Sequence, residues 1–270
     1  MRKLLKRLLG QPGTGVLGSN SSKHDDTDRP RPSLQSGHRL YCIGDIHGRL
    51  DLLEELHAQV MRDCAGFTGH KTVVYLGDYI DRGSQSSQVL ELLITQPLAD
   101  FESIHLLGNH EQAMLDFLVD PRKTAAWLTF GGQVTLLSYA VGLGRPMMSQ
   151  AVELLRDELE VKLPQSHLDF LNNCREWYTR DSYCFVHAGI RPGVPMQDQV
   201  AQDLLWIRDD FTRSRERHEH VVVHGHTISE EVEWKANRIG IDTGAYETGM
   251  LTALVLEGED QRLLQTGRVD

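Results

Sequence analysis

The 270-residue chain lacks the features that mark several protein classes. It has four cysteines and no Cys-x-x-Cys pair, so the sequence indicates neither a disulfide scaffold nor a zinc ribbon. No hydrophobic run reaches the about 18–20 residues that a transmembrane helix requires. A composition of 40% hydrophobic and 24% charged residues excludes a collagen-like or wholly disordered chain. We therefore expect a cytoplasmic protein with reduced thiols.

Positive charge is scarce over most of the chain. The formal net charge is −10, with a sum of +5 in residues 1–40 and −15 in the remainder. An acidic body argues against general nucleic-acid binding, because that binding requires basic surface to displace counterions from the phosphates. We therefore expect no nucleic-acid partner.

The first 37 residues differ in composition from the rest. Residues 11–37 have the Gly-, Pro- and Ser-rich composition of a linker. We predict a disordered or loosely attached tail at residues 1–37 and a single folded domain at residues 38–270. Leucines and basic residues in residues 1–9 are spaced as on the two faces of a helix. This spacing would allow weak contact with a membrane surface, but nine residues are too few for a stable helix or for stable insertion.

A repeated strand–loop–helix pattern begins after this tail. Apolar runs at 40–43, 72–76 and 103–107 each end in Gly-Asp or Gly-Asn, and helical periodicity follows. This repetition predicts βαβ units and a largely parallel sheet. Mostly helical sequence follows at 111–175, with breaks at prolines and glycine pairs. Strand-like runs then return at 183–186, 221–223, 238–241 and 251–256.

Polar side chains that can bind metals cluster at the ends of the apolar runs. In open α/β sheets, ligands bind at the carboxyl ends of the strands. Carboxylate, amide and imidazole groups without clustered cysteines suit hard or borderline divalent cations. Such residues suffice for two cations if one carboxylate bridges them, and they are Asp45, His47, Asp78, Asn109, His187 and His226. Three tryptophans, by contrast, are most simply core residues: Trp127, Trp177 and Trp206.

The ordered motifs GDIHG, GDYIDRG, GNHE, HAG and GHT resemble those of the metallophosphoesterases. More narrowly, they resemble the bacterial and phage branch of the phosphoprotein phosphatase family of serine/threonine phosphatases. The resemblance covers about residues 39–257. It implies an α/β, calcineurin-like metallophosphoesterase fold in which two mixed β-sheets are sandwiched between α-helices. It also implies a dinuclear centre of two divalent metal ions, manganese foremost, with iron, zinc or cobalt as alternatives.

The resemblance implies a role for each matched residue. Asp78 would bridge the two ions, and their other ligands would be Asp45 and His47 for the first ion and Asn109, His187 and His226 for the second. His110 would be the general acid, oriented by Asp81. Phosphate would be bound by Arg82 and by Arg208 in the segment LLWIR. Tyr246, in the segment DTGAY, would line the substrate site. His224 is left out of the ligand set, because the family ligand is the histidine directly before threonine.

These roles imply a hydrolase that removes phosphate from phosphoserine or phosphothreonine in a protein or peptide. The reaction would be direct attack by a water or hydroxide that bridges the two metals. Two cations about 3.5–4 Å apart clamp the attacking and leaving oxygens of such an in-line displacement. An acid beside the leaving oxygen helps because a serine or threonine alkoxide is a poor leaving group.

Three alternatives stay open from the sequence. Dinucleoside polyphosphate hydrolases are similar, but they typically have Ala-Arg-Gly and Asn-His-Asp where this chain has Asp81-Arg82-Gly83 and Asn109-His110-Glu111. Some bacterial members of the phosphatase branch also hydrolyse phosphotyrosine or small phosphate esters. A non-catalytic binding module should have lost a ligand, the acid or an arginine, and none is missing here.

Overall fold

The computed structural model of the protein describes residues 31–143 and 151–267. The first of its two five-stranded sheets contains β1 (His38–Ile43), β2 (His70–Tyr75), β3 (Glu102–His105), β9 (Thr252–Glu257) and β10 (Asp260–Gln265). The second contains β4 (Trp177–Arg180), β5 (Tyr183–Val186), β6 (Val221–His224), β7 (Glu233–Trp234) and β8 (Arg238–Gly240).

Both sheets are mixed, as the family resemblance implies. The strand orders are β10-β9-β1-β2-β3 and β4-β5-β6-β8-β7. Strands β1 to β3 are parallel, but β9 pairs antiparallel with β1 and with β10. The prediction of a largely parallel sheet is therefore wrong for β9 and β10. Glu257 pairs with Asp260, so only two residues connect these strands, and so short a connection can join only antiparallel neighbours.

Helices surround the two sheets. Their bounds are α1 (Leu50–Asp63), α2 (Ser86–Thr95), α3 (Asn109–Val119), α4 (Pro121–Thr124), α5 (Gly132–Ser138), α6 (Val152–Lys162), α7 (Gln165–Asn172), α8 (Ala201–Trp206), α9 (Asp209–Thr212) and α10 (Ala245–Thr248). Short 3₁₀ helices lie at Ala125–Phe130 and Met196–Asp198. The breaks predicted at prolines and glycine pairs include Pro121 and Gly132, which begin α4 and α5, and Pro164, which directly precedes α7. None of the helices in the described ranges is long and apolar enough to cross a membrane.

The hydrophobic core has a layer on each face of the first sheet. Along β1, Tyr41 and Ile43 pack against α1 and α2, whereas Leu40 and Cys42 pack between the two sheets. Successive side chains of a strand point to opposite faces, so a strand buried on both faces is apolar throughout. This explains why the sequence shows continuous apolar runs. A third layer packs α8 and α9 on the outer face of the second sheet.

The packed part of the chain begins before residue 38. Leu34 is only 4% exposed and belongs to the layer between the sheets. Its backbone N–H donates to Gly258 O at 2.8 Å, and the Gln35 N–H donates to the Asp181 carboxylate at 2.9 Å. The prediction of a loose tail up to residue 37 therefore does not hold for Leu34 and Gln35, because one leucine finds a core site despite its linker-like neighbours. Residues 1–9, whose spacing resembles the two faces of a helix, lie outside the described residues.

Candidate metal centre

The five motifs meet at one edge of the sandwich. Asp45 and His47 follow β1, Asp78 follows β2, and Asn109 and His110 form the first turn of α3 after β3. From the second sheet, the residues that complete the group are His187 after β5 and His226 after β6. All of them are buried, and the most exposed, His226, has an exposed fraction of 7%. The parallel direction of β1, β2, β5 and β6 is what brings these chain segments together.

Asp78 lies at the centre of this group. Its Oδ2 is 3.5 Å from His47 Nε2 and 3.8 Å from His110 Nε2. Its Oδ1 is 3.4 Å from His187 Nε2. Donor atoms lie within 4.8 Å of one another in two sets that share Asp78, one with His47 and His110 and the other with His187 and His226. This arrangement fits a carboxylate that would bridge two cations, the role that the family resemblance implies for Asp78.

Asn109 and Asp45 connect the two sheets across the group. Asn109 Oδ1 lies 2.8 Å from His187 Nε2 and 2.8 Å from His226 Nδ1. The backbone N–H of His226 donates to Asp45 Oδ2 at 3.0 Å. All six predicted ligands are therefore brought to one place. His110, predicted as an acid, also lies within reach of Asp78.

Two unpartnered atoms test whether this group fits a metal. Asp45 Oδ1 and His226 Nε2 are buried and have no hydrogen-bond partner among the described residues. Burying such atoms without partners costs about 1–3 kcal/mol each, and a bound cation would remove that cost. His47 Nδ1 and His187 Nδ1 each lie 2.9 Å from a backbone carbonyl, of Ile80 and Leu76. A carbonyl only accepts, so Nδ1 carries the hydrogen and Nε2 presents a lone pair that can bind a metal. The residues therefore fit two divalent cations.

The backbone around the centre adopts conformations that need support. Asp78 has φ of 50°, and His47 and His226 have φ of 48° and 62°, in the left-handed region that side chains rarely adopt. The buried Glu111 carboxylate holds the Asp78 segment by accepting backbone N–H groups from Asp78, Tyr79, Ile80 and Gly108. Sequence reasoning gave Glu111 no role, although its place in GNHE was a signal. A Cβ at Gly108 would lie 2.2 Å from Asp78 Oδ1, so only glycine fits there.

His110 is fixed in an orientation suited to an acid. Its Nδ1 lies 2.6 Å from Asp81 Oδ2, which leaves Nε2 directed towards Asp78. Asp81 in turn accepts from Trp127 Nε1 at 2.9 Å and from Thr135 Oγ1 at 2.6 Å. Burial alone would lower the pKa of His110, but Asp78 and Asp81 raise it to about 9. Trp127 is thus a core residue, and its indole N–H also fixes the Asp81 carboxylate by a hydrogen bond.

The carboxylates around the centre have strongly altered proton affinities. Burial, Asp242 and Asp78 raise the pKa of Asp45 well above its usual range. Burial raises the pKa of Asp242 to about 6, with a further contribution from Asp78. Burial opposes ionisation of Asp78, but the surrounding imidazoles lower its pKa below the usual value. The site thus concentrates acidic groups in a buried place, where a bound cation would favour their ionised forms.

A cavity of about 420 Å³ opens beside these residues and is lined by both predicted phosphate-binding arginines. Arg82 Nη1 donates to Tyr246 OH at 2.9 Å, and its guanidinium lies 4.6 Å from the centre of the Tyr246 ring. Arg208 Nη1 is 3.4 Å from His226 O. The core prediction is wrong for Trp206, which lines the cavity and is 37% exposed, and for Trp177, which is 36% exposed.

His224 lies on the other side of β6 from this group. Its ring packs edge-on against Phe211 with ring centres 5.1 Å apart, and its Nδ1 lies 3.1 Å from Gly225 O. It is in neither of the two donor sets.

Comparisons with known proteins agree on the fold and differ on the substrate. The profile of the family described as calcineurin-like phosphoesterase matches residues 38–252. The chain is 28% identical over 224 residues to Serine/threonine-protein phosphatase 2 of Escherichia coli K12, covering 79% of this chain and 90% of that one. It is 24% identical over 233 residues to Bis(5'-nucleosyl)-tetraphosphatase PrpE of Anoxybacillus flavithermus, covering 78% and 88%. The structure of a provisionally assigned diadenosine tetraphosphatase shares the fold, with a TM-score of 0.59, 20% identity and coverage of 87% and 98%.

Proposed function

The chain belongs to the calcineurin-like phosphoesterase family, and from that membership and its site we propose that it is a metal-dependent serine/threonine protein phosphatase. Its substrates in this proposal are phosphoserine and phosphothreonine in proteins or peptides. We place it in the cytoplasm, where its four unpaired thiols stay reduced. The observation that carries the proposal is the hydrogen-bonded pair of Asp81 and His110 beside Asp78.

The Asp81–His110 pair supports a leaving group that needs a proton. A phosphoserine or phosphothreonine ester leaves as a strongly basic alkoxide, so protonation by a positioned acid accelerates its departure. A dinucleoside polyphosphate leaves as a weakly basic phosphate anion, which needs a proton far less. Asp81 keeps the His110 Nε2 proton directed into the cavity, and the raised pKa keeps His110 protonated near neutral pH. This machinery favours a phosphomonoester of an alcohol.

The two arginines supply the phosphate-binding side of the site. Arg82 and Arg208 line the same cavity as Asp78 and His110. A guanidinium presents a planar fork that matches two phosphate oxygens. Tyr246 holds Arg82 by the hydrogen bond and by its ring face, so the guanidinium keeps one orientation when phosphate enters.

The predicted ligand residues would hold two divalent cations, and we propose manganese as the principal one. When bound, such a pair lowers the pKa of a water molecule and neutralises charge on the transferred phosphoryl group. The residues that hold it in this proposal are Asp45, His47, Asp78, Asn109, His187 and His226. Their burial excludes bulk water from the centre and keeps its electrostatic interactions strong.

A substrate panel tests this proposal. Metal-free protein is reconstituted with manganese, iron, zinc or cobalt, and kcat/KM is measured on phosphoserine, phosphothreonine and phosphotyrosine peptides and on diadenosine tetraphosphate. We expect the phosphoserine and phosphothreonine peptides to have the highest kcat/KM. As a matched control, Asp81→Ala should slow phosphopeptide hydrolysis far more than tetraphosphate hydrolysis. A higher kcat/KM for diadenosine tetraphosphate with every metal would overturn the proposal.

The second candidate function is hydrolysis of dinucleoside polyphosphates. Two of the similar proteins carry that activity in their names. In this chain, the half-exposed Trp206 and Phe130 line the catalytic cavity, and aromatic rings can stack against a nucleobase. The same panel distinguishes the two functions, since Trp206→Ala would then raise KM for the tetraphosphate and leave small phosphopeptides nearly unchanged.

A further inference from the structure

Asp242 is a buried acidic residue in the site, and it begins the segment DTGAY but has no role in the motif assignments. It lies just after β8, is 3% exposed and lines the catalytic cavity together with His47 and Arg82. The backbone segments directly before Asp45 and Asp242 are in contact, since a Cβ at Gly44 would lie 2.8 Å from Ile241 O. The two carboxyl groups are close enough for each to affect the ionisation of the other. Asp45 comes from the first sheet and Asp242 from the second, so the two carboxyl groups meet where the edges of the sandwich close.

Two carboxylates in contact repel each other when both are ionised, and a cation placed beside them removes that repulsion. The free Oδ1 atom of Asp45, which has no hydrogen-bond partner among residues 31–143 and 151–267, marks where a cation would bind. Asp242 brings the carboxylates of the centre to three, with Asp45 and Asp78. Three ionised carboxylates would offset more of the positive charge of two divalent cations than Asp45 and Asp78 would by themselves.

We propose that Asp242 is a positioning residue of the metal centre, which holds Asp45 towards its cation and increases the affinity for that cation. This inference rests on the proposed metal-dependent function. In it, Asp242 contacts neither the phosphate nor the leaving group and acts through Asp45. Outer partners of metal ligands commonly change metal affinity by about 10- to 100-fold when they are removed.

One contact of Asp242 would equally suit a structural residue, and the choice of variant separates the two roles. Its Oδ1 accepts the backbone N–H of Gly244 at 2.9 Å, which stabilises the turn before α10. Asp242→Asn keeps an oxygen for that hydrogen bond and removes only the negative charge. Asp242→Ala removes both the charge and the hydrogen bond. A structural role therefore predicts an effect on the metal-free protein from Asp242→Ala, whereas the proposed role predicts an effect of Asp242→Asn on metal binding.

The test measures manganese binding to the full-length protein by equilibrium dialysis with elemental analysis, together with melting temperatures with and without metal. We expect wild type to bind two ions and Asp242→Asn to bind one of them about 10- to 100-fold more weakly. The melting temperature of metal-free Asp242→Asn should equal or exceed that of wild type, because a buried repulsion is removed. Its activity should approach wild type when the manganese concentration is raised. The control is Asp63→Asn, which removes a carboxylate far from the cavity and should bind both ions normally.

Unchanged affinity for both ions in Asp242→Asn, with wild type binding two, would overturn this inference and leave the proposed function intact. The same holds if Asp242→Asn loses activity that added manganese does not restore, since Asp242 would then act on substrate. If wild type itself binds no manganese, zinc, iron or cobalt, the proposed function fails first. If Asp242→Asn does not fold, Asp242→Glu, which keeps the charge, must retain both ions for the inference to stand.

Discussion

Strand β1 has charged residues near both of its ends, and the partners of these residues differ between the two ends. At its start, Arg39 pairs with Glu257 at 2.6 Å and approaches Asp63, and Arg262 pairs with Asp63 at 2.6 Å. Just past its other end, Asp45 lies near enough to Asp242 for the two to affect each other's ionisation, and its Oδ1 has no hydrogen-bond partner among the described residues. The first cluster is neutralised by the protein's own arginines, whereas the carboxyl groups of Asp45 and Asp242 accept hydrogen bonds from the uncharged backbone N–H groups of His226 and Gly244.

The pKa values show what this difference means. Burial opposes ionisation of Asp63, but its hydrogen bonds to Arg262 and Tyr41 lower its pKa below the usual value. At the opposite end, burial and neighbouring carboxylates raise the pKa of Asp45. The neutralised cluster stabilises the fold by itself, whereas a bound cation would be needed to favour the ionised forms of Asp45 and Asp242 together. The comparison therefore separates a structural cluster from a binding site by charge balance.

The largest effect should come from Asp78, which lies at the centre of the candidate metal site. Asp78→Asn should abolish phosphatase activity and reduce bound metal, because the proposed bridging carboxylate is lost. The surrounding imidazoles lower the pKa of Asp78, so the metal-free variant should also be less stable than metal-free wild type at neutral pH. Elemental analysis and melting curves on the same samples check both statements. Two metals retained with activity intact would end the assignment of Asp78 as the bridge.

His110→Asn should show whether the protonated His110 side chain acts on the leaving group. Turnover of a phosphoserine peptide should fall by roughly 10²–10⁴, the usual size of general acid catalysis, and that of para-nitrophenyl phosphate should fall less. Asp81→Asn should show the same asymmetry more weakly, because Asp81 acts through the imidazole. Metal content, measured in parallel, should stay at two ions. Equal losses on both substrates would mean that His110 binds phosphate and does not donate a proton.

The arginines of the cavity should affect binding and leave the fold unchanged. Arg82→Ala and Arg208→Ala should each weaken inhibition by inorganic phosphate by about 1.5–3 kcal/mol, the value of a hydrogen bond to a charged group. Tyr246→Phe should weaken it less, since only the hydroxyl contact with Arg82 is lost. Inhibition constants for phosphate, with metal content as the control, measure this. Unchanged inhibition in both arginine variants would place the phosphate elsewhere.

Asp63→Asn should have the opposite outcome, with full activity and reduced stability. We expect a loss of about 1–3 kcal/mol in the free energy of unfolding at neutral pH, because two arginines and Tyr41 lose a charged partner. The folded-state pKa of Asp63 is lowered, so its stabilisation is present above the unfolded pKa of about 3.9 and disappears as the pH falls through the folded value. Denaturant titrations at pH 7 and below pH 4 should therefore show the variant and wild type converging in acid. A constant difference at both pH values would rule out the charge interaction.

Much of the site could be predicted because its signals are local. An apolar run that stops at Gly-Asp or Gly-Asn marks the end of a buried strand, and the carboxyl ends of parallel strands share one edge. Asp45, Asp78 and Asn109 were found in this way, and the fold places them together with His187 and His226. The signals for the helix starts at Pro121 and Gly132 are also local, because proline and glycine interrupt a helical pattern at their own positions.

The residues that sequence reasoning missed act through partners distant in the chain. Glu111 holds the Asp78 segment by hydrogen bonds, Trp127 donates to Asp81, and Asp242 affects the ionisation of Asp45. Leu34 was assigned to a linker by its neighbours, and β10 gave no strong pattern because it is only half-buried at the edge of the sheet. A contact with a residue that is distant in the chain does not change the hydrophobic periodicity of the sequence around a side chain.

The sequence by itself determined which segments become buried strands and which ligand types stand at their ends, since hydrophobic periodicity and turn residues act over a few neighbours. Only the tertiary structure decided the charge balance at those ends. Electrostatic interactions depend on distance and burial, and the meeting of the two sheets places Asp242 against Asp45, while the hairpin of β9 and β10 places Arg262 against Asp63. The same residue type is thus a structural partner at one end of β1 and a candidate metal-site residue at the other.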